Sequence, residues 1–282
     1  MEKITKQANA YYDYCERIRR MSPVTLASKK NTIARFVKET KLASLEQLDN
    51  ATYNAWVADE LARGIAPQSM NIYNSAVLAL VRFHRDGGLA IPLNLNAVPH
   101  FKSTRTMRKF YTAAEIHQII RYAAEPENLM IEIMFETGMR IAELVRLRTD
   151  NIDNTKITFI GKGGKLREVY IRKETEAKLQ EYCRKYNIDG HIWCVVDGAK
   201  TQNCEPPTVN TMRTKLRQAF ERAGFSGFYP HALRHSFATD LQLKGATVPE
   251  IKEMLGHENI ATTERYLHGF DNQLEALFRK YR

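Results

Sequence analysis

Apolar positions along the first hundred residues recur at helical spacing, broken by short polar stretches. Tyr53, Trp56, Val57 and Leu61 form one such set, with Gly64 as the stop behind it. Pro67 opens the next helix in its first turn, where a missing N–H costs nothing. Tyr73, Val77, Leu80 and Phe83 line one face of that helix, and Gly87–Gly88 end it. The pattern predicts an all-helical module of four helices without a strand. Residues 89–110 then break the periodicity with two prolines, two asparagines and the cations Lys102, Arg105, Arg108 and Lys109. They read as an extended basic connector, with a domain boundary near residue 105. Beyond it, Thr112 and Glu115 have the spacing of a capping box and start a new helix. Helical patterning to about Leu147 gives way to two β-branched runs around a Gly-rich turn, a hairpin with Lys162 at its tip. A short apolar run, HIWCVV, follows, and Val209, Met212, Leu216 and Phe220 mark a returning helix. The expected fold is therefore mainly α: a helical domain over 1–105, then a mixed α+β domain over 106–282, mostly helical with a small antiparallel sheet.

Charge narrows the function more than length does. The 282 residues carry a net charge of +10 at an apolar content of 44%, ordinary for a chain that buries a real core. Residues 1–105 hold 15 basic and 9 acidic side chains, and the remainder 27 and 23, so both halves are basic. A polyanionic partner follows, nucleic acid before a membrane surface, because no lipid-anchor motif accompanies the charge. No run approaches the roughly 18 apolar residues of a membrane span, and the polar opening MEKITKQANAYYDYCERIRR is not expected to be a signal peptide. The four cysteines show neither C-x-x-C nor zinc-finger spacing, which suits reduced structural thiols in a cytosolic protein.

Four islands in the second half hold polar residues that packing alone leaves unexplained. In T-G-M-R-I-A-E-L (137–144), Arg140 and Glu143 are i,i+3 neighbours: a surface ion pair, or an arginine aimed at an anion and oriented by a carboxylate. G-K-G-G-K-L-R (161–167) is flanked by strands and is no nucleotide-binding P-loop; Lys162 is a solvated hairpin lysine or a phosphate contact or proton donor. In P-H-A-L-R-H-S-F (230–237), the helical core stripe is Leu233, Phe237 and Leu241. His231 and Arg234 share another face in the first turn, where anions are favoured, whereas His235 reads as a packing residue. L-G-H-E-N-I-A-T-T-E-R-Y-L (255–267) places His257 in a helix break and Tyr266 on a short helix, without the second histidine a zincin needs. Singly, each island favours a structural role. Together they offer two arginines, two histidines, a lysine and a tyrosine without an acidic metal cluster. That inventory suits attack on a phosphodiester: guanidiniums stabilise the charge added in the transition state, a tyrosine attacks, and a lysine or histidine protonates the leaving oxygen.

In order and spacing the islands resemble the signature of the tyrosine recombinase (phage-type integrase) family, most closely its simple two-domain Xer-like members. The resemblance implies Arg140 and Arg234 as phosphate-binding arginines, Lys162 as general acid on the 5′-oxygen, and Glu143 as a supporting carboxylate. It implies His231 as general base or hydrogen-bond partner, His257 as transition-state donor, and Tyr266 as the nucleophile of a 3′-phosphotyrosyl link. The implied fold is a helical core-binding domain over 1–105 and a catalytic domain over 106–282, which together clamp duplex DNA. Lys102, Arg105, Arg108 and Lys109 would contact the backbone, and Gln68, Asn71 and Asn74 base edges. A C-terminal helix at about 268–282 would dock onto a neighbouring protomer, giving a homotetramer on two synapsed core sites and a monomer free in solution. An accessory protein or a second recombinase is a further possible partner. Neither a metal nor another cofactor is expected, nor a membrane, and the protein would be cytoplasmic and nucleoid-associated. A type IB topoisomerase-like relaxase and a catalytically silent DNA-binding regulator remain as alternatives.

Overall fold

The computed structural model describes residues 2–102, 110–161, 165–196, 198–201 and 204–256. The chain divides into two units, Met1–Arg105 and Thr106–Arg282.

The first unit is built on four helices: α1 (Glu2–Asp13), α2 (Pro23–Thr40), α3 (Asn50–Ala62) and α4 (Pro67–Asp86). A single wide turn of π-type helix, Tyr14–Ile18, extends α1. The Ser22 hydroxyl accepts from the Thr25 amide, and the Asp49 carboxylate from the Thr52 amide, so α2 and α3 begin where polar side chains replace missing helical acceptors. Pro67 stands in the first turn of α4. The apolar faces meet in a core where the Trp56 ring sits edge-on to Phe36 at 5.0 Å and stacks with Tyr73 at 6.3 Å. Each aromatic pair of this kind adds about 0.5–1.5 kcal/mol beyond its area.

The connector differs from the sequence expectation over 89–101. Ile91 and Leu93 are buried in the first core, and the Arg85 guanidinium donates to both of their carbonyls. The amide of Asn71 exchanges hydrogen bonds with the backbone of Phe101, and that of Asn74 donates to the Pro99 carbonyl. Side chains of α4 thus replace the ladder partners that an irregular segment lacks, and the stretch docks on its own domain. Lys102 is exposed; Arg105, Arg108 and Lys109 lie outside the described residues.

The second unit runs α5 (Ala113–Tyr122), α6 (Glu127–Thr137), α7 (Ile141–Val145), β1 (Ile152–Asp153), β2 (Lys156–Ile160), β3 (Leu166–Tyr170), α8 (Lys173–Lys185), β4 (Val195–Val196), β5 (Ala199–Lys200), α9 (Val209–Arg222), α10 (Pro230–Leu243) and α11 (Val248–Leu255). The predicted capping box forms, with Thr112 and Glu115 bonding reciprocally at the start of α5. Helix α6 is buried along most of its length, Glu127 and Glu132 included, because it is central: α5, α8, α9 and α10 pack on it. The hairpin β2–β3 forms with Ile157 opposite Val169 and Phe159 opposite Arg167, and β1 adds a third antiparallel strand. In HIWCVV only Val195–Val196 is a strand, paired with Ala199–Lys200. Trp193 is instead a core anchor whose indole N–H donates to the Leu144 carbonyl at 2.7 Å.

Candidate active site

Two glycines create the site's frame. Helix α6 ends at Gly138 with φ +61°, and α11 ends at Gly256 with φ +62°, the left-handed cap that L side chains rarely adopt. A Cβ on Gly138 would lie 2.4 Å from the Phe237 ring and 2.8 Å from Leu255, so the chain passes there only as glycine. The turn sends the backbone directly into Arg140, the residue that precedes α7.

Glu143 folds back onto the start of its own helix. One carboxylate oxygen accepts the Arg140 amide and the other the Arg140 guanidinium, both at 2.7 Å. The arginine is held at both ends, by a charge-assisted bond and at a helix N-terminus that favours the carboxylate. Its side chain remains 28% exposed while that of Glu143 is 8% exposed, so Arg140 keeps a face toward solvent.

Arg234, the fifth residue of α10, is 1% exposed. Its guanidinium donates to the Gly138 carbonyl and, at 2.6 Å, to the Leu255 carbonyl. These are carbonyls at the C-terminal ends of α6 and α11, where the helix dipoles favour a cation. Of the two residues expected on the face away from the core stripe, His231 is exposed, whereas Arg234 is drawn inward by the two converging helix ends. His235 is buried, with Nδ1 3.2 Å from the Thr239 hydroxyl and its ring stacked on Phe110. The adjacent Ser236 hydroxyl accepts from the Tyr111 amide at 2.7 Å, tying α10 to the chain that enters α5.

The structure therefore gathers Arg140, Glu143 and Arg234 around Gly138, and leaves His231 exposed on the first turn of α10. Lys162, His257 and Tyr266 lie outside the described residues, as does the predicted helix at 268–282. Arg167, the last residue of the 161–167 island and without an expected role there, has its guanidinium 3.3 Å from both Glu143 oxygens and 3.2 Å from the Met254 carbonyl. Burial lowers the Arg167 pKa, Glu143 opposes that shift and Arg140 reinforces it; a guanidinium remains charged throughout. Strand alternation carried the signal, since Arg167 shares the inward face of β3 with Val169 while Leu166 and Tyr170 point out.

In the first unit, two of the three residues expected at base edges are committed internally. Asn74 is 5% exposed, accepts the Tyr53 hydroxyl at 2.8 Å and donates to Pro99. Asn71 is spent on the Phe101 backbone. A buried amide must be satisfied, as Asn74 is, and the half-buried Asn71 has its amide nitrogen and oxygen both engaged by Phe101, so both side chains are occupied within their own domain. Gln68 is exposed.

In this mainly helical unit with its small antiparallel sheet, two guanidiniums, Arg140 and Arg167, share the Glu143 carboxylate, an arrangement suited to receiving an anion. The sequence profile of the phage integrase family matches residues 109–273. The chain belongs to that family, the tyrosine recombinases, and is Xer-like. The tyrosine recombinase XerC of Chromohalobacter salexigens is 27% identical over 263 residues, covering 87% of this chain and 85% of that protein. Among solved structures, XerH recombinase bound to palindromic difH substrate in a post-cleavage complex aligns with a TM-score of 0.74 at 20% identity, covering 93% and 81% of the two chains. The lambda integrase tetramer bound to a Holliday junction also gives 0.74, at 20% identity, covering 93% and 76%. Both likenesses concern the fold.

Proposed function

We propose that this chain is a site-specific tyrosine recombinase that cuts and rejoins duplex DNA through a 3′-phosphotyrosine. The observation that carries the reading is the Gly138-centred cluster, with Arg140 held by Glu143 and Arg234 seated on two helix ends. Two prearranged guanidiniums need little reorganisation when a phosphate arrives, which is where electrostatic stabilisation is largest. Tyr266 Oη attacks phosphorus and loses its proton to a base, with His231 the candidate. The bond from phosphorus to the 5′-oxygen breaks, and Lys162 delivers the proton to that oxygen. His257 donates to the phosphoryl oxygens alongside the two arginines. The covalent link conserves the energy of the broken bond, so a second 5′-hydroxyl can reverse the step.

DNA would be held by backbone contacts from Lys102, Arg105, Arg108 and Lys109, with Gln68 the remaining candidate at a base edge. Residues 268–282 would dock on a neighbouring protomer and build a tetramer on two sites, in keeping with the tetrameric lambda integrase. No helix among the described residues is long and apolar enough to cross a membrane, and the reading places the protein on DNA in the cytoplasm.

The test begins with duplexes selected from a random-sequence pool by retention on the full-length chain, with the cut position mapped by sequencing. A nicked version of the selected duplex is incubated with wild type and Tyr266→Phe in EDTA and run on a denaturing gel. A covalent adduct with wild type alone supports the reading. The absence of an adduct on every selected duplex sinks it. Joint molecules between two duplexes separate strand exchange from simple relaxation of supercoils.

A further inference from the structure

Arg167 touches three segments that carry residues of the proposed reaction. Its Nη1 faces Glu143, the carboxylate that holds Arg140, and its Nη2 donates to Met254 near the end of α11. Its stem crowds Gly161 and its guanidinium crowds Gly256, leaving no room for a side chain on either glycine. A Cβ on Gly161 would sit 2.9 Å from Arg167 Cδ, and one on Gly256 would sit 2.3 Å from Nε. Gly161 immediately precedes Lys162, and Gly256 immediately precedes His257. The guanidinium also lies over the Phe159 ring at 5.1 Å, so the hairpin itself fixes its plane. The side chain is 10% exposed. An apolar residue of similar size would fill that space, which raises the question of what the charge does.

Glu143 supplies one negative charge to two guanidiniums. With Arg167 present, the three groups keep a net positive charge, and Arg140 retains attraction for a phosphate. Without Arg167, the carboxylate is matched by Arg140 alone, and that pair is neutral. The same loss would free Glu143 to turn away from the helix start it caps. Both changes act on Arg140, one on its field and one on its position.

We propose that Arg167 is a positioning residue for DNA cleavage, acting through Glu143, whose charge it shares, to keep Arg140 aimed and its positive field free for a phosphate. This rests on the reading of the cluster as a recombinase active site. Arg167 reaches no phosphate in this role; it sets the group that does. Its bidentate reach between a carboxylate and a main-chain carbonyl is one a lysine cannot reproduce in full.

The test compares full-length wild type, Arg167→Gln, Arg167→Lys, Arg140→Ala and the double variant Arg140→Ala/Arg167→Gln. The readouts are single-turnover cleavage of the selected, nicked duplex at saturating protein, and affinity for the same duplex. Arg167→Gln is expected to slow cleavage about 100-fold, the scale of a small misplacement of a reacting group, while duplex affinity changes less than about threefold. Arg167→Lys, which restores the charge without the fork, is expected to recover about tenfold of the loss. The double variant is expected to cleave within about threefold of Arg140→Ala alone, because the two residues act on one step as a unit. Cleavage by Arg167→Gln within threefold of wild type overturns the proposal. So do parallel losses of affinity and cleavage, or losses that multiply in the double variant. Should Arg167→Gln fail to fold, the Arg167→Lys cycle with Arg140→Ala is judged by the same criterion. A wild type that forms no adduct defeats the recombinase reading itself, an outcome distinct from an active wild type beside an indifferent Arg167 variant.

Discussion

Gly138→Ala tests the frame of the site at its tightest point. The residue caps α6 at φ +61°, its amide bonded to Met134 and its carbonyl to Arg234. A Cβ there meets the Phe237 ring at 2.4 and 2.8 Å and Leu255 at 2.8 Å, all within a packed interior. Left-handed backbone costs an L residue about 1–2 kcal/mol. Overpacking a buried site adds about 1–3 kcal/mol, so the variant should lose about 2–5 kcal/mol in all. Gly227→Ala is the control nearest in backbone, at φ +75° with nothing within 4 Å of the new methyl, and should show the backbone share alone. Denaturant unfolding of the two variants, read against wild type, isolates the packing share as their difference. A unit of this size shifts its melting temperature by about 2–4 °C per kcal/mol, so Gly138→Ala should melt at least about 2 °C below Gly227→Ala. Cleavage by Gly138→Ala, measured where the protein remains folded, should also fall, because the displaced carbonyl carries Arg234. Equal stability losses with undiminished cleavage would refute the frame described here.

Other outcomes follow from the same contacts. Asn74→Ala removes a satisfied buried amide and strands the Tyr53 hydroxyl, costing about 1–3 kcal/mol; sequence preference in the folded fraction should not change, whereas Gln68→Ala should alter it with stability within about 0.5 kcal/mol. The Glu46 carboxyl sits at about 2, because Lys3 and Gln7 donate to it across from α1. A depressed carboxyl contributes stability that is present above its unfolded value and lost as pH falls toward its folded one. Acid titration followed by amide exchange in α1 should show protection declining between about pH 4.5 and 2, with a shallower decline in Glu46→Gln. If Lys162 protonates the leaving oxygen, Lys162→Ala should cleave slowly on ordinary DNA and recover on a 5′-bridging phosphorothiolate, whose sulfur leaves without a proton; an equal defect on both substrates counts against that role.

Much of this was legible in the chain itself, and the exceptions share a physical cause. The stripes of α3, α4 and α9, the Thr112 capping box and the hairpin are local patterns of spacing, and they form as read. The Arg140–Glu143 pairing was likewise visible at i,i+3. Asn74, expected at a base edge, instead stands with Met70, Val77 and Val81 at i, i+4, i+7 and i+11, which places it on the core stripe. Residues 89–101 read as a linker because Asn71 and Asn74, which anchor their far end, act from 30 and 25 residues away, and the Arg85 bonds to Ile91 and Leu93 leave no periodic pattern. The same holds for Arg234, whose burial depends on two helix ends 117 residues apart in sequence, at Gly138 and Leu255. Arg167 was discoverable from strand alternation, but its partners at Glu143 and Met254 were not.

The central claim is a covalent 3′-phosphotyrosine on one residue, and mass spectrometry of the trapped adduct tests it directly. Digestion with trypsin and nuclease should leave the nucleotide on the peptide spanning residues 266–279, whose single tyrosine is Tyr266, with a free 5′-hydroxyl on the released strand. A nucleotide on any other peptide, or a free 3′-hydroxyl beside a 5′-linked adduct, would contradict the account.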